Sequence, residues 1–192
     1  MKRIVRETKE TRVEIQLARA DARGLPPKVI VDTTLPFFDH MLGTLIKYAG
    51  LQAEVKATGD LQHHLMEDVA LTLGRAVREV TPTAAARFGE RTIVMDDALV
   101  FAAIDVGGRP YFVGELPNRL YTHVLRSFSQ ELGAGLHVRI LDGQDRHHII
   151  EAAFKATGLA LRQALGDAGD GIFSTKGSVA LTIEDDGTPG EP

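Results

Sequence analysis

The chain has 192 residues, of which 44% are hydrophobic and 25% are charged. These proportions are typical of a globular protein, and the length suffices for one domain or for two small halves that share a core. The net charge of −4 and the interspersed basic residues argue against a nucleic-acid-binding protein. Because cysteine is absent, disulfides, thiolate ligands and a cysteine nucleophile are excluded, so any metal would be held by histidines and carboxylates, as suits Mn, Fe, Zn or Ni.

The N-terminal segment is charged and has no apolar core, so it does not resemble a secretion signal. No apolar run approaches the roughly 18 residues that a membrane-spanning helix requires. We therefore expect a cytoplasmic enzyme.

Hydrophobic periodicity predicts strands and two helices in the first half of the chain. Pro36 suits the first turn of a helix that Gly50 ends, and Thr81-Pro82 ends a longer helix. The predicted elements are one or two strands within 4–17 with a break near Lys9, a loop at 20–28, a strand at 29–31, a helix at 37–48, a strand at 51–57 and a helix from His63 or His64 to Val80.

The second half predicts the same order of elements. Turn residues at 107–110 and 142–143 separate its segments. The predicted elements are two strands within 91–106, a strand at 111–113, a helix at 121–132, a strand at 136–141, a helix at 147–165 and a short strand at 179–183. Residues 184–192 are acidic and contain glycine and proline, which predicts a disordered tail.

Histidine motifs repeat at a nearly constant offset along the chain. The pattern His-His-x-x-Glu occurs at 63–67 and again at 147–151, and a histidine in a predicted helix precedes each copy, at His40 and at His123. Only His137 of the seven histidines has no counterpart. Such self-similarity is typical of a duplicated structural unit. We predict an α+β fold of two similar halves, 1–84 and 85–183, each with a small sheet and two helices.

The repeated motif predicts a pair of metal sites. Residues i and i+4 of a helix lie nearly above each other, so His63 and Glu67 can hold one ion, while the adjacent histidine points about 100° away. We predict that each ion takes ligands from both repeats. The assigned ligands are His63, Glu67, His123 and His148 for one ion and His147, Glu151, His40 and His64 for the other. Three imidazoles and one carboxylate leave coordination positions open, which is typical of a catalytic site.

Two questions about this centre stay open at the level of sequence. The ligands of one ion can come from one subunit or from two. Asp39 and Asp68 each adjoin a predicted ligand, and each can orient an imidazole N–H group or act as an ordinary solvated or capping carboxylate.

A second set of residues predicts an anion-binding site. A turn with small hydroxyl side chains, backbone N–H groups and a lysine suits a phosphate group, as do arginines beside loop glycines. Lys155 lies one helical turn after Glu151 of the second motif, so it can face the same site. The candidates are Arg87, Arg109, Lys155, Ser174, Thr175 and Lys176. Each of them, taken alone, also fits an ordinary surface residue.

The chain resembles the imidazoleglycerol-phosphate dehydratase family over roughly residues 3 to 180. The motifs that carry the resemblance are Thr8-Lys9-Glu10-Thr11, Phe37-Phe38-Asp39-His40-Met41-Leu42, His63-His64 with Glu67-Asp68, Arg87-Phe88-Gly89, Met95-Asp96-Asp97-Ala98-Leu99, Gly108-Arg109-Pro110, His147-His148 with Glu151 and Ser174-Thr175-Lys176-Gly177. The resemblance implies a duplicated βα unit of the ribosomal protein S5 domain 2-like type. It also implies a homo-oligomer of about 24 subunits with its metal sites at subunit contacts.

The resemblance further implies the chemistry. Two Mn(II) ions per active site would serve the dehydration of imidazole glycerol phosphate to imidazole acetol phosphate in histidine biosynthesis. Stabilisation of an imidazolate by the two ions would let the ring expel the hydroxyl group through a diazafulvene-like intermediate. By resemblance Glu10 is the catalytic acid/base, and the anion-binding candidates hold the substrate phosphate.

Two other functions compete with the dehydratase prediction. A metallohydrolase or isomerase of another phosphorylated compound would use the same ions to activate water. A metal store or structural assembly would instead show closed coordination without dependence on Arg109 or Lys176.

Overall fold

The computed structural model describes residues 1–20 and 27–167. Its first half contains β1 (Lys2–Glu7), β2 (Thr11–Arg19), β3 (Val29–Asp32), α1 (Pro36–Tyr48), β4 (Leu51–Gly59) and α2 (Gln62–Val80). Its second half contains β5 (Phe88–Met95), β6 (Ala98–Val106), β7 (Tyr111–Val113), α3 (Arg119–Leu132), β8 (Ala134–Asp142) and α4 (Arg146–Ala164). The predicted α+β architecture of two similar halves is confirmed.

The two sheets share one topology. The strand order is β1-β2-β4-β3 in the first half and β5-β6-β8-β7 in the second. The last strand in each order, β3 or β7, runs parallel to its neighbour, because a helix connects the two strands. The other strand pairs are antiparallel. The predicted break near Lys9 is the turn between β1 and β2. The predicted boundary after residue 84 falls between α2 and β5.

Alternation in the strands explains how each sheet covers the core. Val13, Ile15 and Leu17 on β2 are fully buried, while the residues between them are partly exposed. A strand places successive side chains on opposite faces, so one face of each sheet packs against helices. The halves meet through these helices, with α1 against α4 and α2 against α3.

Two glycines allow the helix pairs to approach closely. A Cβ atom on Gly74 of α2 would lie 2.4 Å from the carbonyl oxygen of Phe128 on α3. A Cβ atom on Gly158 of α4 would lie 2.7 Å from the carbonyl oxygen of Leu45 on α1. Gly74 and Gly158 are as far apart in sequence as His63 and His147, so the duplicated unit includes the helix crossing as well as the histidine motif.

Most predicted elements are confirmed with small shifts of their ends. Helix α3 begins at Arg119 instead of Tyr121, because the Asn118 side chain accepts a hydrogen bond from the Leu120 N–H and caps the helix. The predicted strand at 179–183, the tail at 184–192 and most of the predicted loop at 20–28 lie outside the described residues. None of the helices within residues 1–20 and 27–167 combines the length and the apolar composition of a membrane-spanning segment.

Candidate metal centre

One histidine–carboxylate group lies where α2 meets α3; we name His63, Glu67 and His123 the α2–α3 group. The Nε2 atom of His63 lies 3.6 Å from Oε2 of Glu67, and Nε2 of His123 lies 3.3 Å from Oε1 of the same carboxylate. The imidazoles of His63 and His123 stack with ring centroids 5.2 Å apart. The predicted i, i+4 pair on one helix therefore meets a histidine from the other half.

The pseudo-equivalent group lies where α1 meets α4; we name His40, His147 and Glu151 the α1–α4 group. The Nε2 atoms of both histidines lie 3.2 Å from Oε2 of Glu151. The other carboxylate oxygen, Oε1, lies 2.9 Å from Nζ of Lys155. Burial of Glu151 acts to raise its pKa, but hydrogen bonds from Lys155 and His40 outweigh it, so the pKa lies below its ordinary value. The carboxylate is therefore ionised and available as a ligand at neutral pH.

The spacing within both groups fits a bound metal ion. Ligand atoms about 2.1 to 2.2 Å from one ion lie about 3.0 to 3.6 Å apart in tetrahedral or octahedral geometry. The four nitrogen–oxygen distances above, 3.2 to 3.6 Å, fall in this range. In addition, Nε2 of His123 is buried without a hydrogen-bond partner, and coordination to an ion at this place would satisfy its lone pair. Mixed imidazole and carboxylate donors suit Mn, Fe, Ni or Zn.

The second histidine of each motif is held by carboxylates of its own half. Nδ1 of His64 lies 3.0 Å from Asp60 and 3.4 Å from Glu10, with which it forms a third group of potential ligands. Nδ1 of His148 lies 2.6 Å from Asp97. These hydrogen bonds raise the pKa of both histidines above the ordinary value. In many metal sites a carboxylate on Nδ1 leaves Nε2 as the ligand atom.

Within one chain, the structure brings together three of the four predicted ligands of each ion. His63, Glu67 and His123 come together as predicted, but His148 is not in their group. Likewise His40, His147 and Glu151 come together without His64. His64 and His148 also stand outside the group that their own motif forms, because adjacent helical residues point in different directions.

Asp39 and Asp68, which adjoin predicted ligands in the sequence, do not orient an imidazole. Oδ1 of Asp39 accepts hydrogen bonds from N and Oγ1 of Thr33, at 2.8 and 2.5 Å. Asp68 accepts hydrogen bonds from Nε of Arg6, at 2.7 Å, and from Oγ1 of Thr11. Both aspartates therefore tie a helix to a neighbouring loop or strand. Asp60 and Asp97 take the imidazole-orienting role instead, although neither was among the residues predicted for it.

The residues predicted to bind an anion lie in several different parts of the chain. Arg87 has a φ of 71° and forms a two-point ion pair with Asp105, with Nε 2.6 Å from Oδ1 and Nη2 3.1 Å from Oδ2. Arg109 lines a cavity of about 830 Å³ that Asp105 also lines. Lys155 lines a second cavity of about 430 Å³ beside the α1–α4 group. The loop with Ser174, Thr175 and Lys176 lies outside the described residues.

Sequence reasoning also missed the two crossing glycines. Gly74 and Gly158 allow the close approach of the helices that carry the α2–α3 and α1–α4 groups. A signal was present, because the glycines repeat at the offset of the His-His-x-x-Glu motif. A repeated glycine in a helix interior usually has a packing reason, since glycine disfavours a helix.

Comparison with known proteins gives these groups a context. Residues 33–161 match the family model of imidazoleglycerol-phosphate dehydratase. A relative of that name from Metallosphaera sedula is 42% identical over 91% of this chain and 96% of its own length. The chain belongs to the imidazoleglycerol-phosphate dehydratase family. A histidine biosynthesis bifunctional protein from Stenotrophomonas maltophilia is 41% identical over 92% of this chain and 52% of its own length. The crystal structure of imidazoleglycerol-phosphate dehydratase from Pyrococcus furiosus in complex with (S)-C348 superposes with a TM-score of 0.81, at 36% identity, over 92% of this chain and 100% of that chain.

Membership of the imidazoleglycerol-phosphate dehydratase family makes this chain an enzyme of the hydro-lyase class. The resemblance seen in the motifs is thus confirmed. The match to the family model contains both histidine–carboxylate groups but begins after Glu10, the predicted acid/base.

Proposed function

We propose that the chain removes water from imidazole glycerol phosphate to give imidazole acetol phosphate in L-histidine biosynthesis. The observation that carries the proposal is the meeting of two histidine–carboxylate groups, one at each helix crossing, at spacings that fit metal ions. Membership of the dehydratase family and the name of the bifunctional relative support the reaction and the pathway.

The α2–α3 and α1–α4 groups would each hold one Mn(II) ion, with the fourth ligand supplied by another subunit. His148 would complete the first site and His64 the second, since neither reaches its group within one chain. A homo-oligomer of about 24 subunits is the assembly that we infer from the resemblance. Carboxylates hold Nδ1 of both histidines, which supports a role for Nε2 as a ligand.

Two bound cations would supply a positive field at the two ring nitrogens of the substrate, which stabilises negative charge in the ring. The electron-rich ring can then expel the hydroxyl group from the adjacent carbon through a diazafulvene-like intermediate. The departing hydroxyl takes up one proton to leave as water, and the next carbon loses one proton to give an enol, which tautomerises to the ketone of imidazole acetol phosphate. We assign the acid/base role in this dehydration to Glu10, whose carboxylate lies 3.4 Å from His64 at the edge of the centre.

The phosphate end of the substrate would be held by Arg87, Arg109 and Lys155 together with Ser174, Thr175 and Lys176. Lys155 is well placed for this, because it lines a cavity that His40 and Glu151 also line. A cation that holds the phosphate beside the metal group fixes the position of the ring and lowers the entropic cost of reaction.

Location of the enzyme in the cytoplasm stays a prediction.

The direct test is an activity assay with imidazole glycerol phosphate on metal-stripped protein, with and without added Mn(II). Metal-dependent release of imidazole acetol phosphate, competitively inhibited by a triazole, is the expected result, because a triazole presents two nitrogens to two ions. Metal-dependent hydrolysis of other phosphorylated compounds, without triazole inhibition, would instead indicate a metallohydrolase. Binding of Mn(II) without any turnover would indicate a metal store.

A matched pair of variants tests the role of Glu10. Glu10→Gln should lower kcat by a factor of about 10² to 10⁴, the usual contribution of an acid/base group. Glu7 lies in the adjoining strand and pairs with Arg12, so Glu7→Gln should keep wild-type kcat. Equal rates for both variants would remove Glu10 from the mechanism.

A further inference from the structure

The buried carboxylate of Asp68 has no partner among the groups of the metal centre described above. Its relative exposure is 9%, and its side chain binds Arg6 and Thr11 at the start of the chain. We propose that Asp68 is a positioning residue that holds Glu10 in place for proton transfer. This inference rests on the acid/base role of Glu10 in the proposed function.

Asp68 anchors both strands that flank the turn carrying Glu10. Nε of Arg6, at the end of β1, donates to Oδ1 of Asp68 at 2.7 Å. Oγ1 of Thr11, the first residue of β2, donates to Oδ2 of Asp68. Thr11 is itself buried. The carboxylate therefore clamps the two ends of the turn to α2, the helix that carries His63 and Glu67.

Within the turn, hydrogen bonds transmit this position to Glu10. The N–H of Thr8 donates to the carbonyl oxygen of Thr11 at 3.0 Å, and Oγ1 of Thr8 accepts from the N–H of Glu10 at 3.1 Å and of Thr11 at 3.0 Å. The carbonyl oxygen of Glu10 accepts from the N–H of Asp60 at 3.0 Å. With its backbone fixed at these points, Glu10 extends its carboxylate to 3.4 Å from His64.

The second repeat shows that the duplicated unit folds without this carboxylate. Ala152 occupies the position equivalent to Asp68 and is fully buried. The equivalent turn, between β5 and β6, is held through Asp97, whose Oδ2 accepts from the N–H groups of Gln144 and Asp145 at 2.6 and 3.0 Å. A carboxylate that joins the helix to the hairpin is therefore present in the half whose turn carries the predicted acid/base. In the other half an alanine takes its place.

Asp68→Asn is the informative substitution, because it keeps the shape of the side chain. The amide has one acceptor oxygen where the carboxylate has two, so one of the donors on Arg6 and Thr11 loses its acceptor. We expect the Glu10 turn to loosen and kcat to fall at least tenfold, with KM for imidazole glycerol phosphate and the Mn(II) content per chain unchanged. Thr11→Val, which removes one hydroxyl group, should show a smaller decrease of the same kind and serves if Asp68→Asn fails to fold.

A double-mutant cycle with Glu10→Gln distinguishes positioning from other roles. If Asp68 acts through Glu10, Asp68→Asn lowers kcat less than twofold in the Glu10→Gln background. Glu14→Gln removes the Arg3–Glu14 ion pair of the same hairpin, away from the turn, and should keep wild-type kcat.

Three results would overturn the inference. Independent, multiplicative losses in the cycle would separate Asp68 from Glu10, and loss of Mn(II) in Asp68→Asn would show that Asp68 acts through the neighbouring ligand Glu67. A fully active Glu10→Gln variant would refute the acid/base assignment itself, and that single variant identifies which of the two proposals has failed.

Discussion

The helix crossing at Gly74 allows a quantitative prediction about the metal centre. In Gly74→Ala, the new methyl group would lie 2.4 Å from the carbonyl oxygen of Phe128, 3.0 Å from the Leu132 nitrogen and 3.1 Å from Cβ of Glu131. An ordinary carbon–oxygen contact is about 3.4 Å, so α2 and α3 must separate by about 1 Å. The contacts are mainly with backbone atoms of a packed helix, which cannot turn aside as a side chain can.

Two opposing free energies set the effect on stability. Alanine is favoured over glycine in a helix interior by about 1 kcal/mol. Overpacking costs about 1 to 3 kcal/mol, and three close contacts with α3 place this site at the upper end. We expect a net loss of about 2 kcal/mol in the free energy of unfolding. For a chain of this size the loss corresponds to a Tm lower by about 4 to 8 °C.

Gly43→Ala is the matched control, since Gly43 lies within α1 and its added Cβ meets only Val31 Cγ2, at 4.0 Å. Here the helix preference acts unopposed, so Tm should rise by about 2 to 4 °C. Both variants would be followed by thermal unfolding of the metal-free protein, where bound ions do not add to stability. Titration with Mn(II) then reports on the centre.

Because α3 carries His123 and α2 carries His63 and Glu67, separation of the helices should also weaken Mn(II) binding at the α2–α3 group. A shift of about 1 Å exceeds the tolerance of about 0.5 Å within which ligands must be held, so we expect affinity to fall about tenfold or more. A Gly74→Ala protein that melts at or above the wild-type temperature, or that binds Mn(II) as tightly, would refute the argument that this crossing sets the geometry of the group.

Further predictions concern the centre itself. His123→Ala should remove the Mn(II) ion of the α2–α3 group, measured as metal per chain by mass spectrometry. His137→Ala, at the histidine without a counterpart in the repeat, should leave both ions in place. Metal loss in both variants would contradict the assignment. The hydrogen bond to Asp97 raises the pKa of His148 above 6.5, so the stabilisation from this pair is present below that pH and is lost as the pH rises through the raised pKa. In the metal-free protein, Asp97→Asn should therefore lower the pKa of His148 in an NMR titration and reduce stability more below the raised pKa than above it, and an unchanged pKa would argue against the pair. Lys155→Met should raise KM for imidazole glycerol phosphate by at least about tenfold, the value of a lost charge-assisted hydrogen bond, and an unchanged KM would exclude Lys155 from the phosphate site.

Local patterns in the sequence determined much of the site. The i, i+4 spacing of His63 and Glu67 predicted a chelating pair, because helix geometry alone places such residues above one another. The repeat predicted that a histidine from the other half joins each pair, and the structure places His123 beside His63 and Glu67 and places His40 beside His147 and Glu151. The sequence could not predict what the Asp39 and Asp68 carboxylates bind, because each accepts a hydrogen bond from a residue outside its own helix.

The sequence by itself determined the duplication, the order of strands and helices and the identity of the candidate ligands, all of which depend on residue types and short-range periodicity. Only the tertiary structure decided which helices cross, how closely they approach at Gly74 and Gly158, and which carboxylate holds His64 and His148. The physical reason is that these contacts join residues distant in the chain. Their geometry depends on the packing of whole helices against two sheets, and a periodic pattern specifies the buried face of a helix but not its partner.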